Sequence, residues 1–274
     1  MVASPPVGGG TRLAGVIGWP VGHSRSPQMH NAAFAALGMD WVYVAMPVAP
    51  GLVEEALRGM AALGFAGVNV TIPHKQDAAA VCDELSAAAL RAGSVNTVVA
   101  GEGGVLRGET TDGAGMLDAI GEPPPGRALV LGAGGAARAV AAALADAGAD
   151  VTVSARRPEQ AAALAAELGV RAGAWPATET AALIVNATPI GQAGDAAALP
   201  VEPAIVAAAS MVCDLAYRGD GLDTTLVAAA RAAGVPTVDG LDVLVGQGAR
   251  AFRLFTGRDA PVEEMRRAVR HAAN

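Results

Sequence analysis

The chain has 274 residues, of which 52% are hydrophobic and only 3% aromatic, so its core must be built mainly from Ala, Val and Leu. This length allows one large domain or two ordinary ones. A formal net charge of -7 argues against nucleic acid or an anionic membrane as the main partner. We expect no signal peptide and no membrane span, because no apolar run reaches the ~20 residues that cross a bilayer. Cys82 and Cys213 lack metal-ligand spacing, and two such free thiols suggest a cytoplasmic protein.

Short apolar runs alternate with longer alanine-rich segments through the first part of the chain. This rhythm predicts alternating strands and helices, and hence an α/β fold with a mostly parallel sheet. The predicted strands are residues 13–17, 41–47, 67–72 and 94–100, and the predicted helices are residues 27–37, 52–63 and 78–92.

Three consecutive prolines within residues 121–126 interrupt this pattern, because proline continues neither a helix nor a central strand. A second α/β unit follows directly. Its predicted strands are residues 128–131, 151–154, 183–186, 211–215 and 237–238, and its predicted helices are residues 136–147, 159–168 and 225–233. Two final helices are predicted at residues 243–256 and 262–272.

The loop after the first strand, residues 18–31, places Ser24 and Ser26 between Pro20 and Pro27. Small hydroxyl donors on a stiff loop suit an oxyanion such as a carboxylate. The alternative is a helix start, with Ser26 as the N-cap and Pro27 at the first helical position. The spacing alone does not choose between these interpretations, and a helix N-terminus can itself bind an anion.

Residues 129–138 form a strand, a glycine turn and a helix start, which is the context that a dinucleotide-binding fingerprint requires. Gly132 permits the tight turn, Gly134 lets the backbone approach a pyrophosphate, and Ala137 takes the third position of the pattern. This arrangement predicts a Rossmann-type nucleotide domain.

The next strand ends at Arg156 and Arg157, where an NAD site would carry an Asp or Glu about 20 residues beyond the glycines. Two guanidinium groups suit a 2′-phosphate, so NADP is the favoured cofactor. The alternative is a pair of solvated surface arginines.

Further polar residues interrupt the apolar strands of the first part. Asn69 and Thr71 lie on one face by the two-residue period of a strand, and Lys75 follows at the carboxyl end. Asn96 lies in an otherwise apolar strand and needs a partner, whereas Asp112 lies in a turn before a helix. By itself, Lys75 would be read as a surface lysine.

Taken together, these segments resemble the shikimate dehydrogenase family, in order and at similar spacings, over residues 15–257. The resemblance implies that Ser24 and Ser26 bind the substrate carboxylate, that Lys75 is the acid–base residue, and that Asp112 is its partner and a substrate contact. Other implied substrate contacts are Asn69, Thr71, Asn96, Tyr217 and Gln247. Implied cofactor contacts are Gly132, Ala133, Gly134, Gly135, Ala136, Arg156, Leu215 and Gly240, to which Arg157 is added from its position.

The same resemblance implies three parts of the chain. Residues 1–112 would form a substrate-binding and catalytic domain, and residues 113–242 an NADP-binding Rossmann domain. Residues 243–274 would be helices that return to the first domain.

The implied reaction is the reversible NADPH-linked reduction of 3-dehydroshikimate to shikimate, in chorismate and aromatic amino acid biosynthesis. The sequence departs from the usual family pattern at Thr110, where Asn is common, and at Val243, where Met is common. Alternatives are therefore a quinate/shikimate or aminoshikimate dehydrogenase, which could use NAD, and a nucleotide-sensing protein without turnover. The expected partner is a small-molecule substrate, and the chain is expected to be either a monomer or a homodimer.

No metal is expected, because the four histidines are scattered and lack a carboxylate cluster. We expect His30 and Asn31, as residues of the first helix, to fix the serine loop, and we expect the two cysteines to be packing residues.

Overall fold

A computed structural model describes residues 7–192 and 201–271 of the chain. The chain divides into two compact units. The first runs up to Thr111 and includes the chain from Val245 onward, and the second spans Asp112–Leu244. Among the described residues, no helix has both the length and the apolar character needed to cross a membrane.

The first unit is a six-stranded sheet with helices. Its strands are β1 (Arg12–Gly18), β2 (Trp41–Pro47), β3 (Gly67–Val70), β4 (Glu84–Leu85), β5 (Thr97–Ala100) and β6 (Leu106–Glu109). Its helices before the second unit are α1 (Ser26–Ala36), α2 (Val53–Ala62), α3 (Lys75–Val81) and α4 (Ala87–Ala92).

The strand order in this sheet is β2-β1-β3-β5-β6-β4. β1 pairs in parallel with both β2 and β3, with Ile17 opposite Met46 and Val70. The pairs of β5 with β3 and with β6 are antiparallel, so the sheet is mixed. Because β1 and β3 are parallel neighbours, the loops that follow them leave the same edge of the sheet. The backbone bond from Trp19 N to Ile72 O, at 3.0 Å, joins these loops.

The second unit begins with α5 (Asp112–Ile120) and contains a six-stranded sheet in the order β12-β11-β10-β7-β8-β9, in which every pair is parallel. Its strands are β7 (Arg127–Leu131), β8 (Asp150–Ser154), β9 (Arg171–Ala172), β10 (Leu183–Asn186), β11 (Met211–Asp214) and β12 (Thr237–Val238). Its other helices are α6 (Gly135–Asp146), α7 (Pro158–Leu168), α8 (Pro203–Ala207) and α9 (Thr225–Ala232). The central strands are buried along their length, which matches their continuous Val, Leu and Ile runs.

Two helices complete the chain: α10 (Gly240–Thr256) and α11 (Val262–Arg270). α11 packs against α1 of the first unit, and its buried residues are Met265 and Val269. The α/β class, with a Rossmann-type second unit, is confirmed.

The single helix predicted over residues 78–92 is wrong. The structure has α3, then the short strand β4, then α4, because Cys82 is extended and Asp83 is bonded elsewhere. Asp83 accepts from the backbone of Leu106 at 2.8 Å and pairs with Arg58 at 2.7 Å. The strand predicted over residues 94–100 begins only at Thr97, so Asn96 lies just before it.

Candidate active site

The serine loop, which carries Ser24 and leads into Ser26, connects the end of β1 at Gly18 to the start of α1. Ser26 is buried and is the first residue of α1, so the N-cap position falls on Arg25 and no side chain caps the helix. Of the two interpretations left open by the sequence, the one in which Ser26 is the N-cap is therefore wrong. The half-buried Ser24 instead accepts a hydrogen bond from Ser26 N at 3.2 Å. Because Arg25 occupies the N-cap position, the Ser26 hydroxyl does not cap the helix.

Arg25, between the two serines, is buried with 6% of its surface exposed. Its Nη1 donates to the backbone oxygen of Val269, in the last turn of α11. The last carbonyls of a helix lack partners within the helix and carry partial negative charge, so a guanidinium is a fitting donor. This contact ties the serine loop to the end of the described chain, and sequence reasoning missed it because the partner is 244 positions away.

His30 and Asn31 do not contact the serine loop in the way expected. The His30 ring stacks on Tyr43, with centroids 4.3 Å apart, and burial lowers its pKa to about 3. Asn31 bonds both the backbone N and the backbone O of Tyr43, at 2.8 and 2.9 Å. Both residues therefore hold β2 against α1, and His30 is a neutral packing residue.

A chain of buried amides begins at Asn69 in β3. Asn69 Oδ1 accepts from the Tyr43 hydroxyl at 2.7 Å. Its Nδ2 donates to Asn96 O at 3.1 Å and to Thr97 Oγ1 at 3.0 Å. The Asn69 amide is therefore fixed in one orientation, with both of its hydrogens used within the protein.

Asn96 continues this chain toward the C-terminal part of the unit. Its Nδ2 donates to Thr111 Oγ1 at 2.9 Å and to Gln247 Oε1 at 3.3 Å, and its Oδ1 accepts from Thr111 N at 2.8 Å. The partner that Asn96 was expected to need is thus Thr111, the residue directly before Asp112. The structure therefore brings Asn69, Asn96 and Gln247 into one bonded group.

Lys75 is the half-buried first residue of α3, and its backbone oxygen accepts from Val95 N at 2.9 Å. This bond places the backbone before Asn96 beside the start of α3. Thr71 is half-buried directly after β3, and its N donates to Ile17 O at 2.9 Å. Lys75 and Thr71 thus leave the same sheet edge as the serine loop. Asp112 is buried and opens α5 of the second unit, rather than lying in the turn that the sequence suggested.

The glycine loop of the second unit fits a dinucleotide. Gly132 has a φ of +116°, and a Cβ there would lie 3.1 Å from Ala187 O, so both conformation and space favour glycine. A Cβ on Gly134 would meet nothing within 4 Å, which leaves the start of α6 open. The first turn of α6 has no acidic residue and no side-chain cap. Its backbone N–H groups and positive dipole end can therefore bind a phosphate.

Arg156 and Arg157 are exposed directly after β8, and neither forms an ion pair with any residue in the described ranges. The two guanidinium groups can therefore reach a ligand phosphate. Ala133, Gly135 and Ala136 are half-buried around the same turn. The residues present thus fit NADP.

The remaining expected cofactor contacts are Leu215 and Gly240, and Tyr217, an expected substrate contact, follows Leu215 by two residues. Leu215 and Tyr217 are half-buried after β11, and Gly240 is the buried first residue of α10. A Cβ on Gly240 would lie 2.3 Å from Ala216 O, so only glycine allows this approach. The buried carboxylate of Asp214, at the end of β11, directly precedes Leu215 and was not identified from the sequence.

Asp214 ends β11 and has no exposed surface. It accepts from Asn186 Nδ2 at 2.8 Å, from Ala216 N at 2.9 Å and from the Thr224 hydroxyl at 2.6 Å. Burial, which exceeds the effect of these bonds, raises the pKa of Asp214 to about 6.

The cysteines are packing residues. Cys213 is buried and Cys82 is half-buried, and both are free thiols. Burial raises the pKa of Cys82 to about 11 and that of Cys213 further still, so neither is a nucleophile. Within the described ranges, no three His, Cys, Asp or Glu side chains are placed to hold a metal ion.

Comparisons with known proteins agree with a substrate site in the first unit and a dinucleotide site in the second. Family models match as the shikimate dehydrogenase substrate binding domain at residues 16–98, the shikimate 5'-dehydrogenase C-terminal domain at residues 240–270, and the F420-dependent NADP oxidoreductase family at residues 128–206. The chain is 47% identical to a shikimate dehydrogenase (NADP(+)) of Anaeromyxobacter dehalogenans, over 95% of this chain and 96% of that relative.

Solved structures give the same result. A shikimate dehydrogenase in complex with NADP+ superposes with a TM-score of 0.89 and 36% identity, over 97% of both chains. The shikimate 5-dehydrogenase of Thermus thermophilus, in complex with NADP(H) and shikimate, has a TM-score of 0.86 and 40% identity, over 96% of this chain and 100% of that chain.

Proposed function

Because this chain belongs to the shikimate dehydrogenase family, we propose that it catalyses the reversible NADPH-dependent reduction of 3-dehydroshikimate to shikimate. The reaction is a step toward chorismate and the aromatic amino acids. The observation that carries the proposal is the bonded group of Asn69, Asn96 and Gln247 beside the start of α3, where Lys75 lies. Such a set of fixed amides suits a substrate with several hydroxyl groups.

Residues 1–112 form the substrate-binding and catalytic domain, residues 113–242 bind NADP, and residues 243–274 belong with the first domain. The division of the chain after Thr111 and after Leu244 supports these boundaries. The packing of α11 against α1 supports the assignment of the last helices.

Ser24 and Ser26 bind the substrate carboxylate. Their hydroxyl groups lie on a loop that is held by a bond within the loop and by the Arg25 contact to α11. A loop fixed in this way loses little entropy on binding the anion. Asn69, Thr71, Asn96, Tyr217 and Gln247 contact the ring hydroxyl groups of the substrate.

Lys75 is the acid–base residue of the proposed reaction. When the ring carbonyl is reduced, negative charge develops on its oxygen, and the Lys75 ammonium stabilises this charge and delivers the proton. In the reverse direction, neutral Lys75 accepts the hydroxyl proton. Asp112 accepts a hydrogen bond from a substrate hydroxyl and orients Lys75 through charge-assisted bonds.

Bound NADPH supplies the hydride for this reduction. Gly132, Ala133, Gly134, Gly135 and Ala136 hold the pyrophosphate at the open start of α6. The exposed Arg156 and Arg157 bind the 2′-phosphate, and Leu215 and Gly240 contact the nicotinamide end. The guanidinium groups after β8, which form no ion pair within the described part of the chain, support NADP over NAD.

We assign the protein to the cytoplasm, where its two free thiols would stay reduced, and to a monomeric or homodimeric state. Size-exclusion chromatography with light scattering distinguishes the two states.

A matrix of initial rates tests the function. NADP+ and NAD+ are each reduced with shikimate and with quinate at mildly alkaline pH, and NADPH oxidation is followed with 3-dehydroshikimate. The highest kcat/KM is expected for NADP+ with shikimate. A preference for quinate or NAD+ would support the alternative dehydrogenase, for which one observation is that a Listeria monocytogenes relative was solved with shikimate and NAD. No turnover with any pair would refute the proposal in favour of a nucleotide-sensing protein.

A further inference from the structure

Asp214 is a buried carboxylate that the proposed reaction does not use. Three donors surround it, but no cation pairs with it among the residues that the structure describes. Burying an unpaired charge costs free energy, and the three hydrogen bonds offset part of that cost. Each donor belongs to a different segment of the second unit.

On one side, Asn186 links Asp214 to the turn after β10. Asn186 Nδ2 donates to Asp214 and to Ile190 O, and its Oδ1 accepts from Thr188 N at 3.0 Å. This turn lies against the glycine loop, because a Cβ on Gly132 would be 3.2 Å from Thr188 Cγ2. The Asn186 amide therefore fixes the turn that borders the proposed pyrophosphate site.

On the other side, Asp214 holds the segment after β11. It accepts from Ala216 N at 2.9 Å, while Leu215 N donates to Asn186 O at 2.9 Å. Gly240 approaches this segment so closely that a Cβ there would lie 2.8 Å from Leu215 O. The backbone of the proposed nicotinamide contacts is thus anchored to the Asp214 side chain and to the backbone of Asn186, whose side chain is itself bonded to Asp214.

We propose that Asp214 and Asn186 form a positioning pair that holds the glycine loop and the Leu215–Ala216 backbone in the arrangement that NADP requires. Both side chains are fully buried, so neither touches the cofactor. This inference rests on the proposed NADP-dependent function. It predicts that loss of the pair weakens binding of the whole dinucleotide but not of its adenosine end alone, which the exposed arginines bind.

The test compares the binding of NADP+ and of adenosine 2′-monophosphate, which lacks the pyrophosphate, by isothermal titration calorimetry. In Asp214→Ala, the Kd for NADP+ should rise about tenfold, as expected for the loss of a hydrogen bond to a charged group. The Kd for adenosine 2′-monophosphate should not change. Asp214→Asn should rescue NADP+ binding, because the Thr224 hydroxyl can turn to donate elsewhere and accept from the new amide.

Thr224→Val is the matched control. It removes the one bond of Asp214 that leads to no cofactor segment, together with the side-chain cap of α9. It should lower the thermal stability without changing the Kd for NADP+. Should Asp214→Ala fail to fold, Asn186→Ala carries the test and should show the same difference between the two ligands.

Two results would overturn the positioning pair: an unchanged Kd for NADP+, or equal weakening of both ligands, which general damage would cause. An Asp214→Asn variant as weak as Asp214→Ala would also overturn it, since charge rather than position would then matter. A wild-type chain that binds neither ligand would refute the proposed cofactor itself, and this outcome is visible before any variant is made.

Discussion

Replacing Asp214 with Asn should remove a pH dependence that this side chain imposes on the stability of the second unit. Burial raises the pKa of Asp214 from 3.8 to about 6. The folded protein therefore holds the proton more tightly than the unfolded chain does. The stability that this proton contributes is fully present below pH 3.8 and is lost as the pH rises through about 6.

The magnitude follows from the size of the shift. A difference of about two pKa units, at about 1.4 kcal/mol each, lowers the free energy of unfolding by about 3 kcal/mol between acid and neutral pH. Asp220 acts in the opposite direction, because Arg218 lowers its pKa to about 2. Its contribution is common to both proteins and cancels when the variant is compared with the wild type.

Urea unfolding at a series of pH values between 4 and 7 measures this difference. Trp175 packs against the hydrophobic core of the second unit, so its fluorescence reports on that unit. Trp19 and Trp41 belong to the first unit and are replaced by Phe in both proteins. The free energy of unfolding of the parent, measured relative to that of the Asp214→Asn protein, should fall by about 2–3 kcal/mol between pH 4 and pH 7.

The result that refutes this reasoning is a pH dependence shared by both proteins. If their free energies of unfolding change in parallel, Asp214 titrates at its ordinary pKa. Its three hydrogen bonds would then balance the effect of burial on its pKa.

Three further predictions concern the first unit. Lys75→Ala should lower kcat by roughly 10²–10⁴-fold with a smaller change in KM, and a turnover near that of the wild type would contradict its role. Ser24→Ala should mainly raise the KM for shikimate. Steady-state kinetics separate these two effects. Tyr43→Phe removes the donor to Asn69 Oδ1 and should lower the free energy of unfolding of this unit by about 1–3 kcal/mol in urea titrations. Stability equal to the wild type would show that water or another donor replaces the hydroxyl.

The parts of the fold that were predictable from the sequence are those specified by local pattern. β1, β7 and α6 follow from apolar runs and from glycines whose conformation is needed within a few residues. The break between α3 and α4 was not predictable. Alanine-rich residues 78–92 favour a helix, but Asp83 is held by Arg58 and by the backbone of β6, and long-range contacts outweigh local propensity.

The candidate site shows the same limit. The residues that would touch ligands lie in recognisable segments, so their positions could be assigned by resemblance. The residues that hold them could not, because their partners are distant in sequence. Arg25 acts through Val269, and Tyr43 acts through Asn69 on a strand that is not its neighbour.

Both units place a buried amide near the carboxyl end of a strand and use its hydrogens within the protein. Asn69 donates both hydrogens to Asn96 and Thr97, and Asn186 donates its two hydrogens to Asp214 and Ile190. Because Asn69 Oδ1 already accepts from Tyr43, its amide has only one further acceptor position to offer.

A substrate hydroxyl could therefore donate to Asn69 but could not accept from it. Asn69 can thus accept from a substrate hydroxyl while it holds the backbone of Asn96, whereas Asn186 only fixes the turn beside the glycine loop. Polar residues at buried strand ends thus fall into two groups: those that contact the ligand, and those that position the residues in contact with it. Only the hydrogen-bond inventory of the folded chain separates them.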